Sequence, residues 1–493
     1  MLVGVDIGTQ SLKVAVTDST LALKGAASRP YRASFSGPDR AEQDPGLWEQ
    51  ALGPAIADAL AEARANPRQV TGLAICGQLD GCIPVDGIGQ LRGPCLTWMD
   101  RRASAELSDV DVHSLHEMTG IVADASHLAA KIRWLKRHQG DASQAARFHQ
   151  PVSYMVERLT GAFVIDHALA STSMLYGLKA RDYDAGLLSA FGVTRRELPS
   201  IAQSGDCAGR LTAAGAALTG LPIGIPVAVG TGDDFSTPLG AGLMEADELS
   251  VAIGTGEVVG ALFTEPVIDP NCLVETHAYP AGGYFVENPG WLSGGAITWL
   301  KDLLGIADYE KFDEIAGRAP PGADGLAFLP ALTGAMAPEW IAGARGCFYG
   351  LTPAHGTAHL ARALLEGLGF AMRDVVTRLT MLGARPKSLK LLAGGSRSRL
   401  SAQLRADIAG LPVYLPQHCH SSVIGAAMLA GVASGTLSNL KQAAALLAPS
   451  CQCLLPNADA TAALDCSYER YQQLFAAVKS FIAETRHNHV DPR

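Results

Sequence analysis

Apolar residues alternate with other residues in two short segments that resemble each other. In the first, residues 3–16, Val, Ile or Leu stands at every second position on either side of Gly8-Thr9-Gln10-Ser11. The second, residues 249–259, repeats the alternation and the Ile-Gly-Thr tripeptide about half a chain further on. Alternation with a period of two is typical of a half-buried strand, so each segment predicts a β-hairpin that turns at Gly-Thr.

The two halves of the chain also end alike. Residues 227–234 form an apolar strand pattern that ends in glycines and acids, and a small-residue segment, 238–244, follows. Residues 422–431 predict a helix of small residues that suits close packing on a sheet. We therefore predict an α/β fold of two similar domains that face each other across a cleft, where small ligands commonly bind. The predicted N-terminal domain, C-terminal domain and helical tail span residues 1–245, 246–440 and 441–493.

Composition narrows the range of partners. The 493 residues are 48% hydrophobic and 18% charged, which allows a large core, and the net charge of −9 comes without a long basic run. We therefore expect no nucleic-acid partner and no membrane partner, while a homodimer is left open. We expect no signal peptide at the chain start, and the ten cysteines lack framework spacing, so we expect reduced thiols in the cytoplasm.

Three glycine-rich turns that follow apolar strands are candidates for phosphate binding. They are residues 8–11, 254–256 and 394–396. Glycine lets the backbone come close to a phosphate, and exposed N–H groups and Thr or Ser hydroxyls then donate to its oxygens. The chain has no GxxxxGK[ST] motif and no GxGxxG in its first domain, which argues against a Walker-type ATPase and a Rossmann dehydrogenase.

Acidic residues next to these turns suggest a use for bound phosphate. Asp6 stands where the second hairpin has Ala252, and a carboxylate beside phosphates can hold Mg²⁺. Lys13 can add positive charge just past the first turn. Asp233, after a strand and Gly-Thr-Gly, can accept a proton from a hydroxyl that attacks phosphorus, whereas Asp234 is also typical of a helix N-cap.

Five segments spread along nearly the whole chain match the motifs of one family. They are Gly4–Thr9, Glu42–Trp48, Lys131–Leu135, Gly346–Leu351 and His359–Glu366. These segments resemble the FGGY carbohydrate kinases of the actin/Hsp70-like ATPase superfamily, with xylulokinases nearest. The resemblance implies two ribonuclease H-like domains, ATP and Mg²⁺ as cofactors, and transfer of the γ-phosphate to a small sugar.

The resemblance also implies roles for individual residues. Asp233 would be the catalytic base, and Asp6 and Asp233 would lie beside Mg²⁺. The N-terminal domain would bind sugar through Gln78, Leu79, Asp80, Trp98, Asp100 and Asp234. ATP, held mainly by the C-terminal domain, would contact Gly8, Thr9, Gln10, Lys13, Gly254, Thr255, Gly294, Thr298, Gly394, Gly395 and Arg399.

Two departures from the xylulokinase pattern bear on the substrate. Asp80 replaces a His, and residues 332–338 replace a segment that contains Ser-Gly-Glu-Arg-Thr-Pro. The leading hypothesis is a kinase for a ketopentose such as xylulose, and kinases for glycerol, erythritol or ribulose are alternatives. A nucleotide-driven scaffold or a catalytically silent sugar sensor is the alternative from another class.

Overall fold

Both segments of alternating apolar residues form the predicted hairpins in the computed structural model. The structure describes residues 1–138, 140, 145–288, 290–416, 420–447 and 451–488, with the backbone alone at Ser396 and at 483–488.

The strands carry numbers in chain order. They are β1 (Leu2–Ile7), β2 (Ser11–Thr17), β3 (Leu23–Pro30), β4 (Ser34–Gly37), β5 (Arg40–Gln43), β6 (Gly72–Gly77), β7 (Ile83–Val85), β8 (Cys95–Leu96), β9 (Arg147–His149), β10 (Val164–Asp166), β11 (Tyr176–Gly177), β12 (Asp182–Tyr183), β13 (Ser200–Ala202), β14 (Cys207–Arg210), β15 (Pro226–Ala228), β16 (Thr231–Gly232), β17 (Glu248–Ile253), β18 (Gly256–Phe263), β19 (Glu275–Ala278), β20 (Tyr284–Glu287), β21 (Trp291–Leu292), β22 (Ala327–Leu329), β23 (Cys347–Tyr349), β24 (Ser388–Ala393), β25 (Val413–Leu415) and β26 (Gln452–Leu454).

The α-helices are numbered in the same way. They are α1 (Pro45–Glu62), α2 (Val112–Thr119), α3 (Leu128–His138), α4 (Pro151–Thr160), α5 (His167–Ser171), α6 (Ala185–Phe191), α7 (Ala213–Thr219), α8 (Asp233–Gly240), α9 (Gly294–Leu303), α10 (Tyr309–Ala316), α11 (Thr357–Met381), α12 (Arg399–Ala409), α13 (Ser421–Ala433), α14 (Leu440–Leu447) and α15 (Ala458–Asn488).

Two large sheets share one strand order. In the first sheet, β3, β2 and β1 are antiparallel neighbours, and β6 and β15 continue the sheet parallel to β1. In the second sheet, β20, β18 and β17 repeat the antiparallel part, and β24 and β25 repeat the parallel part. The predicted α/β fold of two similar ribonuclease H-like domains is therefore confirmed. We call the parts built on these sheets the first and the second domain.

Helices cover both faces of the first sheet. The apolar side of α1, with Trp48, Leu52 and Ile56, is buried against β2 and β3. The opposite face is covered by α13, a helix from late in the chain whose residues 423–431 are all buried. A helix that is apolar on all sides belongs in a core, so the predicted small-residue helix packs on the first sheet and joins the two halves.

The helices α8 and α13 cross closely because glycines stand at their contact. A Cβ atom at Gly425 would overlap the carbonyl oxygen of Ser236, and one at Gly240 would overlap that of Ser421. The backbones can approach only without these side chains. Since α8 begins at Asp233, this crossing fixes the position of Asp233 relative to the second half of the chain.

The segment after residue 440 is not helical throughout. Between α14 and α15, strand β26 adds to the edge of the second sheet by antiparallel pairing with β25. Sequence periodicity missed this strand because it is only three residues long. Residues 489–493 lie outside the described residues. Among the described helices, none combines the length and the apolar character that a membrane span requires.

Candidate functional site

Asp6 lies on β1 directly opposite Lys13 on β2. Its side chain is buried, Oδ2 accepts a hydrogen bond from Ser422 Oγ at 2.7 Å, and Lys13 Nζ lies 3.5 Å from the same oxygen. The other oxygen, Oδ1, is buried and has no hydrogen-bond partner in the described part of the chain. A buried carboxylate oxygen without a donor is unfavourable, which suits a position where a ligand or cation supplies the missing contact.

Asp233 is the first residue of α8, directly after β16. Pairing of Gly232 with Gly77 holds it beside the ends of β6 and β1. Burial, followed by the charges of Asp234 and Asp6, raises the pKa of the Asp233 carboxyl well above its usual range, while Lys13 acts in the opposite direction. The structure thus brings Asp6, Lys13 and Asp233 together, as expected.

Asp234 follows on the same helix and presents its surface to solvent. Nearby protein atoms nevertheless displace part of the water around its carboxyl group. This desolvation, together with the charges of Asp80 and Asp6, raises the pKa of Asp234 to about 6. Asp234 is therefore a water-accessible carboxyl group within an acidic neighbourhood. Its side chain does not cap α8, whose N-cap residue is Gly232.

Gln78 and Asp80 leave the end of β6 with different partners, and Leu79 between them is half-buried. Gln78 Nε2 donates to Gln43 Oε1 at 2.7 Å, while its buried Oε1 has no partner among the described residues. Asp80 has the left-handed backbone angle φ of 57°. Its Oδ1 accepts from Thr172 Oγ1 at 2.7 Å and its Oδ2 lies 3.0 Å from His127 Nδ1.

The contact with His127 changes the expected character of Asp80. Burial alone would lower the pKa of His127, but the charge and hydrogen bond of Asp80 outweigh it and raise that pKa. Both oxygens of Asp80 are thus already occupied, one by an imidazole nitrogen and the other by a hydroxyl group. These two contacts could not be predicted from the sequence, because the partners of Asp80 lie 47 and 92 positions away.

Trp98 and Asp100 differ in their availability to a ligand. Trp98 is half-exposed, and its Nε1 donates to Thr9 Oγ1 at 3.0 Å, which ties it to the first glycine turn. Asp100 is fully buried and binds Arg102 through both oxygens, and Oδ2 also accepts from the backbone N–H of Ala41. The contacts of Asp100 are therefore all with the protein.

Lys131, the first residue of the segment Lys131–Leu135, holds the loops around it together. Lys131 is fully buried, and its ammonium group donates to the carbonyl oxygens of Asp80 and Thr97, each at 2.7 Å, and to that of Ser126. Burial lowers its pKa to about 8. One side chain thus fastens the loops that carry Asp80, Trp98 and His127.

The second glycine turn, Gly254–Gly256, lies against the start of α9. Thr255 O accepts from the backbone N–H groups of Ser293 and Gly295 at 3.1 and 3.0 Å. A Cβ atom at Gly294 would overlap Gly254 O, so the approach requires glycine there. One helical turn later, Thr298 Oγ1 lies 2.9 Å from Tyr309 Oη.

The third glycine turn adjoins the second across the sheet. Ile253 and Ala393 are paired at the ends of β17 and β24, which brings Gly394 and Gly395 beside the 254–256 turn. Arg399 begins α12 on the exposed side of this region. The predicted ATP-binding residues of the second domain therefore meet at one end of its sheet.

A buried ion pair supports this end of the second sheet. Arg405 Nη2 on α12 donates to Glu257 Oε2 on β18 at 2.6 Å, and Ser293 Oγ before α9 donates to the same oxygen at 2.6 Å. Both charged side chains are almost fully buried. Sequence reasoning missed this network, which connects three of the elements that carry the predicted ATP-binding residues.

Two family models match the chain. The model of the N-terminal domain of the FGGY family of carbohydrate kinases matches residues 1–240, and the model of its C-terminal domain matches residues 249–434. The chain belongs to this family. As an FGGY carbohydrate kinase it is a phosphotransferase with an alcohol group as acceptor, and sugar kinases of this family use ATP.

Relatives of this FGGY kinase differ in their acceptor. A xylulose kinase from Escherichia coli (strain K12) is 29% identical over 490 residues, which cover 98% of this chain and 100% of the relative. A glycerol kinase from Thermococcus kodakarensis is 28% identical over 457 residues, 90% of each chain. The solved structure of a xylulose kinase from Rhodospirillum rubrum superposes with a TM-score of 0.89 at 27% identity and covers 97% of this chain and 99% of that chain.

Proposed function

We propose that this FGGY kinase transfers the γ-phosphate of ATP to a hydroxyl group of a ketopentose such as xylulose, with Asp233 as the catalytic base. The observation that carries the proposal is the Asp233 carboxyl, whose pKa is raised beside the unpartnered Oδ1 of Asp6. Kinases for glycerol, erythritol or ribulose are the alternatives within the family, and the glycerol kinase relative favours keeping them.

Asp233 is suited to take a proton from the attacking hydroxyl group. A general base works best when its pKa is close to the operating pH. Burial and the neighbouring carboxylates raise the pKa of Asp233 and so move it in the direction of neutral pH. Lys13 moderates the shift through its positive charge. Phosphoryl transfer requires little covalent chemistry from the protein beyond this step, so orientation of the hydroxyl group is the remaining task.

The residues around Asp6 fit a magnesium ion. Asp6 Oδ1 is buried without a hydrogen-bond donor, and Asp6 is close enough to Asp233 for its charge to raise the pKa of Asp233. Within the described residues, no cluster of three or more His, Cys, Asp or Glu side chains is arranged to hold a metal ion. Mg²⁺ does not require such a cluster, because it typically binds one or two carboxylates together with phosphate oxygens and water. When bound, the ion would neutralise charge on the phosphate oxygens.

We assign ATP mainly to the second domain and the sugar mainly to the first, with the domain boundary near residue 245 and the tail after residue 440. In the first domain, Lys13 and the turn Gly8-Thr9-Gln10 would approach the terminal phosphates, and Trp98 is linked to Thr9 by its indole N–H. In the second domain, the proposed ATP-binding residues are Gly254, Thr255, Gly294, Thr298, Gly394, Gly395 and Arg399.

For the sugar, we propose direct contacts from residues with free polar atoms or accessible surface. Gln78 Oε1 is unpartnered, and Trp98 and Asp234 are exposed. Leu79 would add an apolar surface beside them. Asp80, whose oxygens already contact His127 and Thr172, and Asp100, which binds Arg102 and the backbone of Ala41, would act by positioning the sugar-binding loops.

The proposal is tested by ADP release from Mg·ATP across pentuloses, hexuloses, tetritols, pentitols and glycerol. We expect one acceptor class to stimulate ADP release, and Asp233→Ala to reduce the stimulated rate by roughly 10²–10⁴-fold, as for loss of a general base. Asp374→Asn is a matched control, because Asp374 is a buried acid that binds Tyr468 Oη between α11 and α15. Hydrolysis that no acceptor stimulates would favour a nucleotide-driven scaffold, and sugar binding without turnover would favour a silent sensor.

A further inference from the structure

Two glutamates lie directly opposite each other in the β19–β20 hairpin of the second domain. Glu275 pairs with Glu287 in the strand register, and the Glu287 side chain is 8% exposed. Like charges at directly opposed positions destabilise a sheet, and burial adds to that cost. The stability of the hairpin therefore does not explain why glutamates stand at both of these positions.

His277 lies between the two carboxyl groups without forming a close hydrogen bond to either. Its Nε2 is 3.7 Å from Glu275 Oε2 and 3.8 Å from Glu287 Oε1. Among the described residues, His277 Nδ1 and Glu287 Oε2 have no hydrogen-bond partner, although both are buried. Burial lowers the pKa of His277 to about 3, so a neutral imidazole does not compensate the glutamates.

The hairpin packs on the part of the first domain that carries the proposed sugar-binding residues. The ring of His277 lies 5.5 Å from that of Phe235, the residue after Asp234. The N–H of Ala278 donates to Ser171 Oγ at 3.1 Å, and the next residue, Thr172, binds Asp80. The hairpin that carries His277 and Glu287 therefore packs beside the segments that carry Asp234 and Thr172, the partner of Asp80.

Electrostatic coupling agrees with this location. Burial, followed by the charges of Asp234, Glu275 and Asp233, raises the pKa of Glu287 well above its usual range. The charge of Asp80 acts on His277 and Glu275 as well. Among the cations nearby, His127 is engaged by Asp80, Arg101 by Asp124 and Lys13 by Asp6.

We propose that Glu287 and His277 are specificity-determining residues that bind the acceptor from the second domain, and that the acceptor is an uncharged ketose or open-chain polyol longer than glycerol. The proposal rests on the proposed kinase function. Hydroxyl groups both donate and accept, so they can satisfy the carboxyl oxygen and the imidazole nitrogen together. A carboxylate or phosphate on the acceptor would instead face the acids Asp80, Asp234 and Glu287.

The test compares acceptors of different length and charge on Glu287→Gln. We would measure kcat and KM for D-xylulose, xylitol, glycerol, gluconate and ATP on the wild-type enzyme and on this variant. We expect the KM of the best five-carbon acceptor to rise about tenfold, because an amide nitrogen that only donates replaces a carboxyl oxygen that can accept, at a loss of about one hydrogen bond. The KM values of ATP and of glycerol should stay within about twofold, and gluconate should be inactive with the wild-type enzyme.

Two controls separate binding from folding. Asp374→Asn removes a buried acid that accepts a hydrogen bond from Tyr468 between α11 and α15, and it should leave every KM unchanged. If Glu287→Gln does not fold, as judged by its thermal midpoint, His277→Asn carries the same comparison. An unchanged KM for five-carbon acceptors, or gluconate as the better acceptor, would overturn the inference.

Turnover tests the proposed kinase function, and binding of the acceptor tests the role of Glu287 separately. If the wild-type enzyme phosphorylates none of the acceptors, the proposed function is wrong and calorimetric titration with xylulose and xylitol decides the inference. Binding to the wild type that weakens about tenfold in Glu287→Gln would support it. Equal binding to both proteins, or no binding to the wild type, would overturn it.

Discussion

Asp233 lies among other carboxyl groups and one lysine, whose charges act on its pKa. Burial raises that pKa most, the charges of Asp234 and Asp6 raise it further, and Lys13 opposes them. The sequence identified these residues because they adjoin glycine turns on apolar strands. It could not identify Ser422, which donates to Asp6 from 416 positions away.

Replacing Lys13 with Met should move the pH dependence of the enzyme. Lys13 lowers the pKa of Asp233, so its removal raises that pKa further. A base must be deprotonated to act, and activity therefore disappears as the pH falls through its pKa. We expect the acid limb of the kcat/KM profile to shift to higher pH in Lys13→Met. Lys24→Met, which removes a lysine paired with Asp18, should leave the limb in place. A limb that stays fixed or moves to lower pH in Lys13→Met would contradict the charge balance.

At the scale of elements, the repeated hairpins and the small-residue helix were predictable from the sequence. Period-two alternation around Gly-Thr specifies β1–β2 and β17–β18 locally, and the uniform apolar character of α13 specifies burial. Contacts between distant elements were not predictable in this way. The Glu257–Arg405 ion pair and the position of Glu287 beside Asp234 depend on tertiary packing, which leaves no periodic signal in the chain.

The crossing of α8 and α13 predicts a sharp effect of one methyl group. In Gly425→Ala the new Cβ atom would overlap the backbone carbonyl oxygen of Ser236, so the helices must separate. We expect a loss of about 1–3 kcal/mol in the free energy of unfolding, measured in urea, as is typical of overpacking. Gly87→Ala is the matched control, because its Cβ atom would meet no atom within 4 Å. Equal stability of the two variants would show that the helices do not pack in this way.

At the scale of the whole molecule, two domains of shared strand order carry different sets of proposed site residues. The first carries the acids Asp6, Asp80 and Asp233, and the second carries glycine turns with the hairpin of Glu287. The presence of two similar domains was predictable from the repeated hairpins in the sequence. The different proposed roles of the two domains follow only from the residues that differ between the repeats. A location in the cytoplasm and a homodimer stay predictions from the sequence.

In the proposed reaction, the γ-phosphate passes directly from ATP to a sugar hydroxyl group, and Asp233 accepts the proton of that hydroxyl group. The most direct measurement is mass spectrometry of the acceptor after incubation with Mg·ATP, wild-type enzyme or Asp233→Ala, and a panel of ketopentoses and polyols. We expect one acceptor class to gain a single phosphate with the wild-type enzyme and little or none with Asp233→Ala. ATP consumption without any phosphorylated acceptor, or equal product with Asp233→Ala, would contradict it.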